Sequence, residues 1–464
     1  MPGNEILRRI GLTFSGITAD SRAVKPGMIF AALPGAKLDG TAFIAQAVAS
    51  GAVAVLAPDG TIWPQDVPQR RLITSANPRR DLALIAAELA GPGPDCVVAV
   101  TGTNGKTSTV DFLRQLWTLS GRKAASLGTL GVIAPGHAGG GGLTTPDPVA
   151  LAQTMAMLAR EGVTHAAIEA SSHGLHQSRL DGVAIGAAGF TNLTRDHLDY
   201  HHTMAEYRAA KLRLFDILLP EGADAFAADV LDAETLAALR DIAAHRRLKL
   251  RVVGVESATA RPDGQILRLN GREVFLPLAG RFQADNVAMA AALAETTGIA
   301  DPITLFGQLH GVRGRLERAA MLPNGAAAYV DYAHTPDAIE RLIAALRPHT
   351  SGRLVIVFGA GGDRDPGKRP LMGLAAKAAD VAIITDDNPR SENPTSIRAA
   401  IRAAIPNALE IGDRAAAIAA GLEMLRAGDV LVVAGKGHEL GQTVGNTTLP
   451  FDDAAVIRQL AGVA

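Results

Sequence analysis

"VAVTGTNGKTSTVDFL", residues 98–113, runs from an apolar strand through a glycine-bearing turn into a helix. Gly102 and Gly105 let the backbone turn tightly enough for successive N–H groups to face one anion, and the helix opening near Lys106 adds the positive end of its dipole. Lys106 is in reach of the terminal phosphates of a nucleotide, and the Thr107 hydroxyl is placed for a Mg²⁺ ion. The usual G-x-x-x-x-G-K-[ST] pattern wants glycine at position 100, where this chain has Val100. The signal is therefore the shorter Gly102-x-x-Gly105-Lys106-Thr107. A plain glycine turn would explain the glycines but not the lysine and threonine together, so the stretch is read as a nucleotide-binding loop.

Outward from this loop, strands alternate with helices. Val97–Val100 is followed by a helix over Thr107–Leu119, then by strands His165–Ile168 and Ala187–Phe190. That alternation predicts an α/β fold with a parallel sheet and helices on both faces. Upstream, Met28–Leu33 and Ala52–Leu56 are short apolar runs among alanine-rich helical stretches. "AGPGPD", residues 90–95, is a Gly/Pro linker, and "HGVRGRLER", residues 310–318, marks a second boundary. Beyond it lie four more apolar strands: Ala327–Val330, Leu354–Phe358, Val381–Ile384 and Val430–Val433. Three domains are expected, residues 1–93, 94–315 and 316–464. "GHAGGGG", residues 136–142, reads as a loop or hairpin tip without chemistry of its own.

Length and charge narrow the class. A chain of 464 residues exceeds one core. Its 45 basic and 46 acidic residues cancel, which gives no sequence-wide case for nucleic acid or an anionic membrane. The single cysteine, Cys96, excludes an internal disulfide and a multi-cysteine metal cluster, and is expected to be a buried, inert thiol. Met1–Gly11 lacks the apolar core of a signal peptide, and no stretch has the length and apolarity of a membrane span. A cytoplasmic, monomeric enzyme with small-molecule substrates is the expectation.

Two further clusters bear on metal and phosphate. "AAIEASSHGLHQSR" puts Glu169 at the end of a strand in the same sheet as the phosphate loop, where a carboxylate suits a nucleotide-bound Mg²⁺ or caps the next helix. "TNLTRDHLDYHH" offers Asn192, Asp196, His197, Asp199, His201 and His202, with no H-E-x-x-H spacing and no cysteine to support zinc. Lys211, among Ala and Leu in "YRAAKLRLF", either snorkels to solvent or has altered chemistry; the residues alone favour snorkelling.

The sequence carries, in order, TGTNGKTS (101–108), TTPD (144–147), EASSHGLHQSR (169–179), NLTRDHLDYH (192–201), YRAAKLRLF (207–215), GVRGRLE (311–317), DYAHTPDA (331–338), GAGGDRDPGKR (359–369), DNPR (387–390) and GKGHE (435–439). It thereby resembles the Mur ligase family over nearly its whole length. The resemblance implies an N-terminal α/β uridine-binding domain, a central P-loop ATPase-like parallel sheet and a C-terminal Rossmann-like domain. It also implies ATP-dependent addition of diaminopimelate to a UDP-muramoyl dipeptide in peptidoglycan precursor synthesis. ATP would be held by Gly102, Thr103, Asn104, Gly105, Lys106, Thr107 and Ser108, with Asn286, Arg315, Asp331 and His334. Thr107 and Glu169 would ligate one Mg²⁺; His197 would help hold a second with Lys211, which matches the family's carbamylated lysine. Lys106, Lys211 and His197 would be catalytic. Ala19, Ser21, Thr144, Thr145, Ser171, Gln177 and Arg179 match contacts to the UDP-muramoyl dipeptide. Ala36-Lys37-Leu38 matches the uridine loop only loosely, and Leu143 precedes the threonine pair where some relatives have Asn.

The resemblance makes DNPR the diaminopimelate-type motif, and residue chemistry agrees. Four segments each follow a strand: residues 331–334, 362–365, 387–390 and 435–439. In a parallel sheet those ends share one edge, where α/β domains bind ligands. Arg364, Asp387, Asn388, Pro389, Arg390, Gly435 and Glu439 are thereby assigned to diaminopimelate. Arg390 would pair with its distal carboxylate, and Asn388 and Glu439 with its ammonium. The proposed chemistry attacks the ATP γ-phosphate with a carboxylate, forms an acyl phosphate and lets the amine displace phosphate, with three domains closing on three substrates. Ligation of lysine or another amine, a folylpolyglutamate-type synthesis, and a P-loop switch are the alternatives; the DNPR loop opposes the first two, and the absence of N-K-x-D the third.

Overall fold

A computed structural model describes residues 14–35 and 39–463. Backbone contacts divide the chain into two compact units, Met1–Val253 with Met289–Ala300, and Gly254–Ala288 with Asp301–Ala464.

The first unit holds two sheets. Strands β1 (Gly16–Thr18), β2 (Met28–Ala31), β3 (Ala54–Pro58) and β4 (Arg71–Ser75) pair in parallel in that order. Ile29, Phe30, Val55 and Leu56 are fully or almost fully buried, as expected for strands covered on both faces. Helix Pro78–Ala90 follows, started by Asn77, whose side chain accepts from the Arg80 N–H, and by Pro78 in the first turn. The larger sheet contains β5 (Cys96–Thr101), β6 (Ala124–Gly128), β7 (Gly131–Ala134), β8 (His137–Ala138), β9 (His165–Glu169), β10 (Ala187–Phe190), β11 (Asp224–Ala228) and β12 (Lys249–Val253). Its order is β12-β11-β10-β5-β9-β6-β7-β8; the run from β12 to β6 is parallel, and β7 and β8 extend it antiparallel. β5, which feeds the glycine loop, lies between β10 and β9, and the register sets Thr101 beside Phe190 and Val100 beside Glu169. Three strand ends thus meet at the loop.

The second unit opens with an antiparallel meander, β13 (Ser257–Arg261), β14 (Gly264–Leu269) and β15 (Arg272–Leu276). Its main sheet has β16 (Glu317–Met321), β17 (Ala327–Asp331), β18 (Leu354–Phe358), β19 (Val381–Ile384), β20 (Leu409–Glu410) and β21 (Val430–Ala434), ordered β16-β17-β21-β18-β19-β20. Only β16 is antiparallel. A hairpin, β22 (Gly441–Val444) and β23 (Thr447–Pro450), completes it. Beneath the sheet, Arg414 and Asp453 form a bidentate pair with both hydrogen bonds at 2.7 Å and neither side chain exposed.

The expected strands recur with shifts of a few residues at most, and "GHAGGGG" spans the second residue of the β7–β8 turn, β8 itself and the loop that follows. The meander and the hairpin were not expected. Residues 257–276 fall in the second compact unit rather than with 94–253. Cys96 is half-buried rather than buried, and burial pushes its thiol up to about 11, which keeps it protonated and unreactive. Among the described residues no helix is long and apolar enough to cross a membrane.

Candidate active site

In the first unit the loop after β5 is built so that only glycine fits at its start. Gly102 has φ +148°, and a Cβ there would lie 1.9 Å from Thr191 Oγ1. Thr191 and Asn192, just after β10, hold the loop: Thr191 Oγ1 donates to Asn104 O at 2.6 Å, and Asn192 Oδ1 accepts from the Asn104 N–H at 2.9 Å. Thr103 is bound from both sides, its N–H donating to Asn192 O at 2.8 Å and its hydroxyl accepting from the Thr194 N–H at 3.0 Å. Gly105, at φ +85°, starts helix Lys106–Leu119 without a side-chain cap, and the positive end of the helix dipole faces the loop. Thr107 and Ser108 are buried in the first turn.

Two lysines converge on one carbonyl. Lys106 Nζ donates to Gly102 O at 2.9 Å and Thr103 O at 2.8 Å, and Lys211 Nζ donates to Gly102 O at 2.7 Å. The snorkelling expected for Lys211 from its neighbours does not occur: the side chain is 1% exposed, with its amine 4.5 Å from the centre of the Tyr207 ring. The helix Met204–Arg213 runs inward here and passes into a π-helical turn, Leu214–Leu218, as helices often do at functional sites. Burial, and then the charge of Lys106, hold the Lys211 pKa well below that of an ordinary lysine. That direction favours the neutral, nucleophilic form of the amine over the ammonium.

Glu169 is buried at the end of β9, its Oε1 accepting from the Thr129 N–H at 2.7 Å and Oε2 from the Thr129 hydroxyl at 3.2 Å. Gly128 makes room for it, since a Cβ there would fall 2.0 Å from Glu169 Oε1. The Thr107 hydroxyl has no hydrogen-bond partner among the described residues. A hydroxyl oxygen and a carboxylate are hard donors, so this pair fits a divalent cation such as Mg²⁺. An amine does not; Lys211 fits only after its nitrogen has become a carbamate. His197 is exposed, at φ +52°, with Asp196 3.6 Å away. It edges onto His173, which stacks on Tyr200 with ring centres 4.0 Å apart. His201, behind them, is pushed down to about 4 by burial and by neighbouring His173, His176, His197 and Lys211.

The assigned muramoyl-dipeptide residues divide into two groups. Thr145 is 1% exposed and pinned: its hydroxyl donates to Glu169 O at 2.8 Å and accepts from the Ser171 N–H at 3.0 Å. Thr145 and Ser171 therefore shape the segment behind Glu169, and Thr144 contacts Thr129 across 3.2 Å. Ala19, Ser21, Gln177 and Arg179 instead line a cavity of about 840 Å³, with Leu143 and Asp147. Arg179 donates to Gln177 Oε1 at 2.7 Å and to Thr145 O at 2.7 Å, which fixes both side chains at the wall. Arg22 and Arg79 also line it; neither was assigned a role, although Arg22 follows Ser21 directly in the sequence. Residues 36–38 lie outside the described residues.

In the second unit β17, β21, β18 and β19 are adjacent and parallel, so the four polar segments do leave one edge. Arg390 is partly buried at φ +50°, its Nη1 donating to Gly362 O at 2.7 Å. The guanidinium is thereby tied back to the neighbouring loop at one of its nitrogens. Gly362 must be glycine, since a Cβ would fall 1.9 Å from Pro389 O. Asn388 Nδ2 donates to Glu439 Oε2 at 2.8 Å, and Asp387 lies against Gly435, where a Cβ would be 2.6 Å from its Oδ2. Arg364 is exposed on its loop. Burial, with the charge of Glu439 next, raises the Tyr332 pKa, and Asp387, Arg315 and Arg364 also act on it. These groups therefore share one neighbourhood. Arg315 stacks over the Tyr332 ring at 4.7 Å. Asp331 holds its own loop, accepting from the Leu316 N–H at 2.7 Å and the Ala333 N–H at 2.8 Å, and burial outweighs Arg315 to raise its pKa. His334 is exposed; Asn286 is buried and donates to Gln283 at 3.2 Å. Tyr332, Lys436 and His438 are additions that sequence reasoning did not assign, although the last two lie inside GKGHE.

Three family descriptions match consecutive segments: "Mur ligase family, catalytic domain" over residues 13–90, "Mur ligase middle domain" over 100–294, and "Mur ligase, glutamate ligase domain" over 314–437. The chain is 52% identical over 467 residues to the UDP-N-acetylmuramoyl-L-alanyl-D-glutamate–2,6-diaminopimelate ligase of Rhizobium meliloti strain 1021, covering 97% of this chain and 95% of the relative. It is 53% identical to the protein of the same name from Caulobacter vibrioides, covering 97% and 96%. A solved structure of a ligase of that name is 32% identical, with a TM-score of 0.73 over 97% of this chain and 95% of the other. On sequence and fold together, this chain belongs to the Mur ligase family.

Proposed function

We propose that the chain joins 2,6-diaminopimelate to UDP-N-acetylmuramoyl-L-alanyl-D-glutamate at the expense of ATP, a step of peptidoglycan precursor synthesis. The observation that carries the amine assignment is Arg390, partly buried and tied to Gly362 O, on the same loop as Asn388, which is itself bonded to Glu439. A ligand with both a carboxylate and an ammonium at its distal end satisfies that set; lysine leaves the arginine unpaired.

The glycine loop and first helical turn bind the triphosphate, and Lys106 neutralises charge on the transferring phosphoryl group. The γ-carboxylate oxygen of D-glutamate attacks the γ-phosphorus in line, ADP leaves, and an acyl phosphate results. The neutral amine of diaminopimelate then attacks the acyl carbon, phosphate departs and the amine loses a proton. His197 and the departing phosphate are the candidate acceptors for it. Thr107 and Glu169 would hold Mg²⁺, with carbamylated Lys211 and His197 at a second ion; the cations would screen the phosphate oxygens. Ser21, with Ala19 beside it, would hold the uridine end of the substrate, and Thr144, Thr145, Ser171, Gln177 and Arg179 would contact the UDP-muramoyl dipeptide. Asn286, Arg315, Asp331 and His334 would serve the nucleotide. Segments 1–93, 94–315 and 316–464 would correspond to sugar-nucleotide, ATP and amino-acid binding, in a cytoplasmic monomer.

The test is ADP release by the purified protein. It should require both the UDP-muramoyl dipeptide and diaminopimelate. Equal rates with L-lysine or ornithine would overturn the amine assignment, and release without the dipeptide would overturn the ligase reading.

A further inference from the structure

Lys436 is completely buried at the end of β21, and all of its hydrogen-bonding capacity is used. Its ammonium donates to Asn388 Oδ1 at 3.1 Å, to Glu439 Oε2 at 3.1 Å and to Gly441 O. Asn388 Nδ2 closes a triangle on the same Glu439 oxygen at 2.8 Å. Glu439 Oε2 thus receives two donors, which fixes the carboxylate with Oε1 directed elsewhere. The third arm reaches the hairpin. Its strand β22 grips the DNPR loop: the Thr443 N–H donates to Asn388 Oδ1 at 2.9 Å, Gln442 Nε2 to Asp387 O at 2.7 Å, and the Arg390 N–H to Thr443 O at 3.1 Å. The Gly445 N–H then donates to Arg390 O at 2.7 Å. Arg390, in a left-handed conformation that non-glycine residues adopt only under such constraint, is held by this hairpin.

We propose that Lys436 is the positioning residue of the amine-substrate pocket: one buried ammonium orients Asn388 and Glu439 directly and Arg390 through the hairpin. The inference rests on the reading that these three side chains recognise the distal end of diaminopimelate. Three donors in a tripod are what the geometry uses, and among the side chains only an ammonium supplies them from one atom. Lys436 touches no part of the substrate in this role, so it differs from the residues it orients.

The experiment compares wild type with Lys436→Met, which keeps the length and removes the donors, in ADP-release kinetics with each substrate varied in turn. Diaminopimelate KM should rise by about 10-fold or more, while KM for ATP and for the UDP-muramoyl dipeptide should stay within about 2-fold. A purely structural lysine would lower thermal stability and affect all three substrates alike. Unchanged diaminopimelate KM, or a parallel rise in all three, overturns the proposal. Should Lys436→Met not fold, Lys436→Gln, which retains a donor for Glu439 alone, is measured by the same criteria. Failure of the underlying reading is separate: wild type would then release ADP without any need for diaminopimelate.

Discussion

Replacing Arg390 by alanine tests the amine pocket most directly. Of the guanidinium donors, Nη1 is engaged by Gly362 O at 2.7 Å, and Nε and Nη2 have no partner among the described residues. Those two nitrogens form a fork matched to a carboxylate. Hydrogen bonds to charged groups contribute about 1.5–3 kcal/mol each, and partial exposure places this pair at the lower end. Losing two removes about 3 kcal/mol, roughly a 100-fold rise in KM for diaminopimelate. L-Lysine has no distal carboxylate to lose, so its weak kcat/KM should be nearly unchanged, and discrimination between the amines should collapse by the same factor. The assay is coupled ADP release with each amine titrated at saturating ATP and UDP-muramoyl dipeptide, together with a melting curve to establish that the variant folds. An equal rise in KM for ATP, or an unaltered preference for diaminopimelate, would refute the assignment.

Lys211→Ala should reduce ligation by about 100-fold or more, with part of the rate restored by short carboxylic acids that replace a carbamate; full activity without them would remove Lys211 from the site. Gly102→Ala should abolish ATP-dependent turnover while leaving the uridine cavity able to bind its nucleotide sugar, because its Cβ would collide with Thr191 at 1.9 Å; equilibrium binding checks this. Arg414→Leu strands the buried Asp453 carboxylate and should cost about 3–5 kcal/mol in urea denaturation. Burial, with Arg315 next, pushes His438 down to about 4. The folded protein therefore resists a proton that the unfolded chain accepts below about 6.5, so this contribution is complete above that pH and lost as pH falls toward 4. His438→Gln should flatten the loss of stability between pH 6.5 and 4, and an unchanged slope would exclude His438 as its source.

Much of this architecture was legible because its elements are marked locally. β18 and β21 are apolar from end to end and β5 is apolar up to Thr101, as suits strands covered on both faces, and each is followed by glycine at the loop. The meander β13–β15 was missed for the opposite reason. Ser257–Arg261 alternates exposed and half-buried residues on a surface and has no apolar run to mark it as a strand. Lys211 shows another limit. Ala and Leu neighbours say that a lysine has apolar company, but not which way its helix turns; only its approach to Gly102 O decides burial against snorkelling. Thr145 is matched by its motif to a ligand contact, and its hydroxyl is also bonded to Glu169 and Ser171. A motif records that a residue is required at a place without separating contact from support. Lys436 is the converse, a buried residue inside a motif of which only Gly435 and Glu439 were assigned to the ligand.

The comb of strand ends in the second unit has a consequence for how specificity can drift. Teeth that are independent can be recut one at a time. The teeth after β19 and β21 are not independent, because a single buried cation rivets them to one another and to the hairpin. Retuning this pocket to a new amine therefore demands concerted change at positions 388, 436 and 439. Intermediates carrying only one of those changes would lose the old partner before gaining a new one.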